Sequence, residues 1–95
     1  MSDDQREEVE QEVWILNRQG MHARPVMRFV DTANRFQASV CVAKGAQVVD
    51  GKSPMEMMLL EATKGTRLNL KATGVDAREL IDALVALISS GFDEE

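Results

Sequence analysis

Residues 67–73, Arg-Leu-Asn-Leu-Lys-Ala-Thr, alternate strictly between polar and apolar side chains. A period of two puts Leu68, Leu70 and Ala72 on one face of a strand and Arg67, Asn69, Lys71 and Thr73 on the other. A strand with one solvated face belongs to an antiparallel sheet that is covered on one side only. The rest of the chain must therefore supply partner strands beside it and helices beneath it.

The other segments meet that demand. Val13 to Leu16 form a short apolar run that ends at Asn17, Arg18, Gln19 and Gly20, a strand and its exit loop. From Ala23 to about Arg35 the period becomes helical, with Val26, Phe29, Val30 and Ala33 on one face and Arg24, Arg28, Asp31 and Arg35 opposite. Ala38 to Ala43 and Gln47 to Val49 read as two strands joined by Lys44-Gly45-Ala46. Ser53, Pro54 and Glu56 have the spacing of a capping box with proline at the first helical position, so a short helix begins there and ends near Leu60 or Ala62. After Gly74, Asp76 and Glu79 offer a cap for a last helix whose apolar stripe is Leu80, Ile81, Leu84, Leu87 and Ile88, ended by Gly91. The order is βαββαβα. An α+β open-faced β-sandwich follows, with three helices on one face of a four-stranded antiparallel sheet.

The 95 residues suffice for a single domain with one modest core. Its charge is unevenly spread: six acids and Arg6 occupy residues 1–12, whereas residues 13–92 hold ten Lys or Arg against seven acids. The expected organisation is an acidic, mobile extension over 1–12, one domain over 13–92 and an acidic tail over 93–95. With no long apolar run and no signal-peptide core, the expectation is a cytoplasmic protein with no membrane partner. Nucleic acid is also excluded as a partner, because Trp14, Phe29, Phe36 and Phe92 do not gather on exposed strand positions. The single cysteine, Cys41, stands between Val40 and Val42 and reads as a buried structural thiol.

Chemistry concentrates in Gly20-Met21-His22-Ala23-Arg24-Pro25, which holds the only histidine. A helix that starts beside His22 offers free N–H groups and partial positive charge, an environment for an anion. Neutral imidazole is a nucleophile. Arg24 adds a fork of donors suited to phosphate oxygens, and Gly20 lets the entering chain bend. A metal site would need further ligands, which a chain with one His and one Cys does not supply. General-base catalysis would need a substrate pocket, for which so short a chain has little material. These residues fit a carrier of a phosphoryl group on nitrogen, working without a cofactor.

The segment Gly20 to Pro25, together with GKSPMEMMLLEATKGT at 51–66 and the alternating strand with the final helix, resembles the HPr family of phosphoenolpyruvate-dependent phosphotransferase systems. The resemblance spans about residues 13–90 and implies the same βαββαβα fold. It further implies that His22 takes a phosphoryl group on Nδ1 from enzyme I and passes it to a IIA-type acceptor. Arg24 accompanies the phosphohistidine, and Ala23 and Arg24 supply backbone N–H donors. Ser53 falls on the family's regulatory serine, the target of a kinase/phosphorylase, and Pro54 and Glu56 depart from the usual pattern there. The family's docking surface maps to Met21, Arg28, Arg35, Met55 and Met58, with Met27 or Met57 left for the core. Arg28 and Arg35 have Asp31 between them at pairing distance along the helix. The expected protein is a monomeric carrier and not an enzyme with turnover. The other reading is a regulatory binding module of this fold, governed by the phosphorylation state of His22 or Ser53 and without sugar transport.

Overall fold

A computed structural model describes residues 7–93. Strands β1 (Glu7–Trp14), β2 (Ser39–Lys44), β3 (Gln47–Asp50) and β4 (Arg67–Gly74) form one antiparallel sheet in the order β1-β4-β2-β3. Helices α1 (Ala23–Ala33), α2 (Pro54–Met58) and α3 (Ala77–Ser89) complete the βαββαβα order, and a 3₁₀ turn at Gly91–Asp93 follows. The expected α+β open sandwich is the observed fold.

The alternating strand, β4, lies inside the sheet. Its inward side chains meet those of both neighbours: Leu68 is opposite Val13, Ala72 is opposite Val9 and Val40, and Leu70 is opposite Val42. All of these are buried. Against them pack Val26, Phe29 and Val30 of α1, Met57 of α2, and Leu80, Ile81, Leu84 and Ile88 of α3. Each large apolar side chain so enclosed contributes about 1.5–3 kcal/mol relative to exposure. Phe92 is fully buried after α3, and it holds a left-handed φ of +58°.

Several expectations need correction. The first strand starts at Glu7 and ends at Trp14, so residues 7–12 belong to the sheet and not to a mobile extension; residues 1–6 lie outside the described residues. The reason is cross-strand pairing. Lys71 Nζ lies 3.0 Å from Glu8, Arg67 lies 3.5 Å from Glu12, and Asn69 Nδ2 donates to Glu10 at 2.9 Å. The Glu8 hydrogen bond and charge hold the Lys71 ammonium pKa above its ordinary value. Exposed pairs of this kind are each worth about 0.2–1 kcal/mol, and three such diagonal pairs, with Val9 and Val13 facing inward, fix the strand. Ile15 leaves the regular ladder yet keeps two bonds, donating to Thr66 O and accepting from Gly65 N. At the other end, Asp93 belongs to the 3₁₀ turn and is not tail; residues 94–95 lie outside the described residues.

Cys41 is exposed, not buried. Val40 and Val42 point into the core, so the residue between them must point to the open face of the sheet.

Asp76 occupies the N-cap position of α3, but its carboxylate makes no capping bond. It accepts instead from the backbone N–H groups of Gln37 at 2.9 Å and Ala38 at 2.8 Å, tying the entry to β2 to the start of α3. The Gln37 hydrogen bond leads in holding this carboxyl below its ordinary pKa. A carboxylate favoured in the fold stabilises above its unfolded-state pKa, and that stabilisation is lost as pH falls through the depressed value. Urea unfolding of wild type and Asp76→Asn should therefore show a stability gap at neutral pH that closes in acid below the ordinary carboxylate range.

Candidate functional site

His22 is the N-cap of α1, with extended backbone (φ −86°, ψ −168°), and its side chain is half-buried. Its carbonyl accepts the first helical bond, from Val26 N at 3.0 Å. The first turn is then Ala23, Arg24 and Pro25. Ala23 and Arg24 carry N–H groups with no acceptor inside the helix, while Pro25 has none to satisfy. Ala23 and Arg24 are exposed, and Pro25 and Val26 are buried. The helix thus turns its apolar side down and presents His22, two main-chain donors and the Arg24 guanidinium at its positive end.

The approach to His22 is held from two sides. Gly20 adopts φ +73°, and a Cβ there would lie 2.5 Å from Ala62 O and 2.9 Å from Thr63 Cα. Met21 N donates to the same Ala62 carbonyl at 2.8 Å. Glu61, just before it, takes a left-handed φ of +49°, local strain that turns the chain after α2. Asn17, missed in the sequence as a loop residue, is 3% exposed and donates from Nδ2 to Gly20 O at 2.7 Å. Its only signal in the sequence is a turn-forming side chain three residues before a glycine.

The candidate docking residues divide. Met55 and Met58 are exposed as expected, at 77% and 43%. Met21 is 4% exposed and packs in the core, with its N–H bonded to Ala62 O. It offers no docking side chain. Met57 is buried, whereas Met27 is exposed, one turn beyond Ala23 and Arg24. Leu59, the C-cap of α2, is 61% exposed, since α2 ends at Met58 and not at Leu60 or Ala62. Arg28 turns to the chain end: Nη1 donates to Phe92 O at 3.1 Å and Nη2 lies 3.4 Å from the Asp93 carboxylate. Arg35 lies beyond the C-cap of α1, about 20 Å along the helix from His22 at 1.5 Å per residue. Arg28, Asp31, Thr32 and Arg35 line a shallow cleft with Leu87 of α3.

Ser53 is the N-cap of α2, and its Oγ accepts from Glu56 N at 3.2 Å. The reciprocal half of the capping box is absent. Glu56 Oε1 accepts instead from Asp50 N at 2.8 Å and holds the end of β3. Among the described residues no group of three or more His, Cys, Asp or Glu is placed to hold a metal ion.

The family described as "PTS HPr component phosphorylation site" matches residues 9–90. The chain belongs to the HPr family. It is 42% identical over 84 residues to the phosphocarrier protein NPr of Proteus mirabilis, spanning 87% of this chain and 93% of that one. The crystal structure of an HPr from Thermoanaerobacter tengcongensis superimposes with a TM-score of 0.89 at 42% identity, covering 92% of this chain and 98% of that one. Crh, the Bacillus subtilis catabolite repression protein crystallised as a swapped dimer, superimposes with a TM-score of 0.71 at 36% identity over 87% of this chain and 95% of that one. HPr-family proteins are carriers, so this chain is a phosphocarrier and not a catalyst with its own turnover. No helix among the described residues is long and apolar enough to cross a membrane.

Two substitutions probe this geometry. Gly20→Ala should destabilise by about 1–3 kcal/mol through overpacking against Ala62 and left-handed backbone, read as a lower thermal midpoint. Ser53→Ala should cost about 1 kcal/mol in urea unfolding through loss of the α2 cap.

Proposed function

We propose that His22 accepts a phosphoryl group from phosphoenolpyruvate-charged enzyme I and passes it to a IIA-type acceptor. The observation that carries this is the seat of His22 at the N-cap of α1, with Ala23 and Arg24 following in the first helical turn; their main-chain donors and the Arg24 side chain would favour an anion on the imidazole. In the first transfer an imidazole nitrogen of His22, Nδ1 in this assignment, attacks phosphorus. The donor's N–P bond breaks, the new N–P bond forms, His22 loses its ring N–H proton and the donor imidazole regains one. Arg24 and the N–H groups of Ala23 and Arg24 stabilise the charge on the phosphoryl oxygens in passage. The second transfer reverses these roles. A moderate hold on phosphate suits such a relay, because a site that bound it too well would slow delivery.

Docking in this proposal uses Met55 and Met58 with Met27 and Leu59 added, exposed apolar side chains on two helical elements that pack against each other. Methionine suits a surface that meets more than one partner. Arg24 supplies positive charge beside them, and Arg28 and Arg35 are assigned to the chain end and the far cleft. The carrier acts as a monomer in the cytoplasm.

A regulatory module is the second reading, favoured by the likeness to Crh, a catabolite repression protein. Here Ser53 is the switch. A serine kinase/phosphorylase would have to displace the Glu56 N–H from Ser53 Oγ and place a phosphate near the Glu56 carboxylate, so like-charge repulsion opposes the modification.

The first transfer of the relay is tested in one experiment. Wild type and His22→Ala are incubated with phosphoenolpyruvate and enzyme I and followed by intact mass and 31P NMR. An acid-labile gain of one phosphoryl group in wild type alone is expected. No gain in folded wild type would overturn the relay and leave the regulatory module.

A further inference from the structure

We propose that Asn17 is a positioning residue for His22, an inference that rests on His22 being the phosphoryl acceptor. Among the described residues Asn17 is the buried polar side chain, and a buried amide is costly unless it is hydrogen-bonded. Its Nδ2 donates to Gly20 O at 2.7 Å. The same carbonyl accepts from His22 N at 3.0 Å, and Gly20 N donates to Asn17 O at 3.1 Å. Asn17 therefore ties both ends of the 17–20 turn, and the carbonyl it holds is the one that fixes the His22 main chain.

Two further contacts hold the arrangement. Gly20 lies so close to Ala62 and Thr63 that a Cβ on it would fall 2.5 Å from Ala62 O, and Met21 N is bonded to Ala62 O, while the end of α3 passes near Asn17 at Gly91. The turn is thus confined between the segment after α2 and the end of α3. The Gly20 carbonyl accepts from both Asn17 Nδ2 and His22 N, so the Asn17 bond fixes the orientation of that peptide. That peptide lies two residues before the acceptor imidazole, so its orientation sets where His22 leaves the backbone relative to the Ala23 and Arg24 donors. Small misplacements of this sort cost group-transfer rates heavily. Asn17 does not act on the phosphoryl group itself; it acts through the peptide it holds.

Asn17→Asp keeps the shape and removes the donor. At neutral pH a carboxylate oxygen would face the Gly20 carbonyl oxygen, and burial would raise the pKa of that acid. Its protonated form donates again. The rate of His22 phosphorylation is measured with phosphoramidate, a small donor that needs no partner protein, across a pH range in which circular dichroism shows each variant folded. Relative to wild type, Asn17→Asp should be slower by about tenfold at neutral pH and recover in acid, while Asn17→Ala stays slow throughout. The His22 ring 15N shifts should move in Asn17→Ala and return toward wild type in acidified Asn17→Asp.

Wild-type rates in both variants, or equal slowing with no recovery in Asn17→Asp, would overturn the inference. If neither variant folds, the wild-type scalar coupling across the Asn17 amide to Gly20 carbonyl bond decides: its presence supports the arrangement and its absence overturns it. Wild type that reacts with phosphoramidate but not with enzyme I would refute the relay, and the phosphoramidate rates of the Asn17 variants would still support or overturn this role of Asn17.

Discussion

Burial of a single face of the sheet is the constraint on which the rest of this structure depends. β4 sits between β1 and β2 with Leu68, Leu70 and Ala72 turned to the helices. Because side chains on a strand alternate, every neighbour of β4 must place its apolar residues in the same register. Val9 and Val13 on β1 and Val40 and Val42 on β2 do so. The same rule turns Cys41 outward and leaves Glu8, Glu10 and Glu12 facing solvent beside Lys71, Asn69 and Arg67. The open face carries these charged pairs as a consequence, along with the exposed Trp14 and Val48, and all three helices pack on the other.

That packing delivers the start of α1 to a defined place. Val26, Phe29 and Val30 lock the helix onto the core, and Pro25 lets its first turn begin without a wasted donor. The loop before it is held by contacts from distant parts of the chain: Ala62 and Thr63 against Gly20, Ala62 O on Met21 N, and Gly91 near Asn17. Arg28 adds a tether from the outer side of α1 to the Phe92 carbonyl and Asp93. A histidine on such a seat has a fixed backbone and an accessible neighbourhood, the combination a phosphoryl carrier requires.

The chemistry asked of the site is modest. It presents a helix end, an imidazole and a guanidinium. Partner proteins would complete the environment in which phosphorus changes hands, which is consistent with a family of carriers and with exposed methionines on α1 and α2.

Local sequence determined the number and order of elements, because periods of two and 3.6 and the residues that start and stop helices are written within short windows. It also placed His22, Ala23 and Arg24 together at one helix start, because they are adjacent in the chain. Long-range pairing decided the remainder. Residues 7–12 look like a solvated acidic tail until β4 presents Lys71 and Arg67 diagonally across from Glu8 and Glu12. Asp76 has the spacing of a cap but serves Gln37 and Ala38, and Glu56 serves Asp50, since both side chains reach donors that only the folded chain brings near. Met21 and Met27 are equivalent in type and close in sequence, yet one is buried and the other exposed. The core packing of Met21 and the face of α1 on which Met27 falls separate them, and both are set when the core closes.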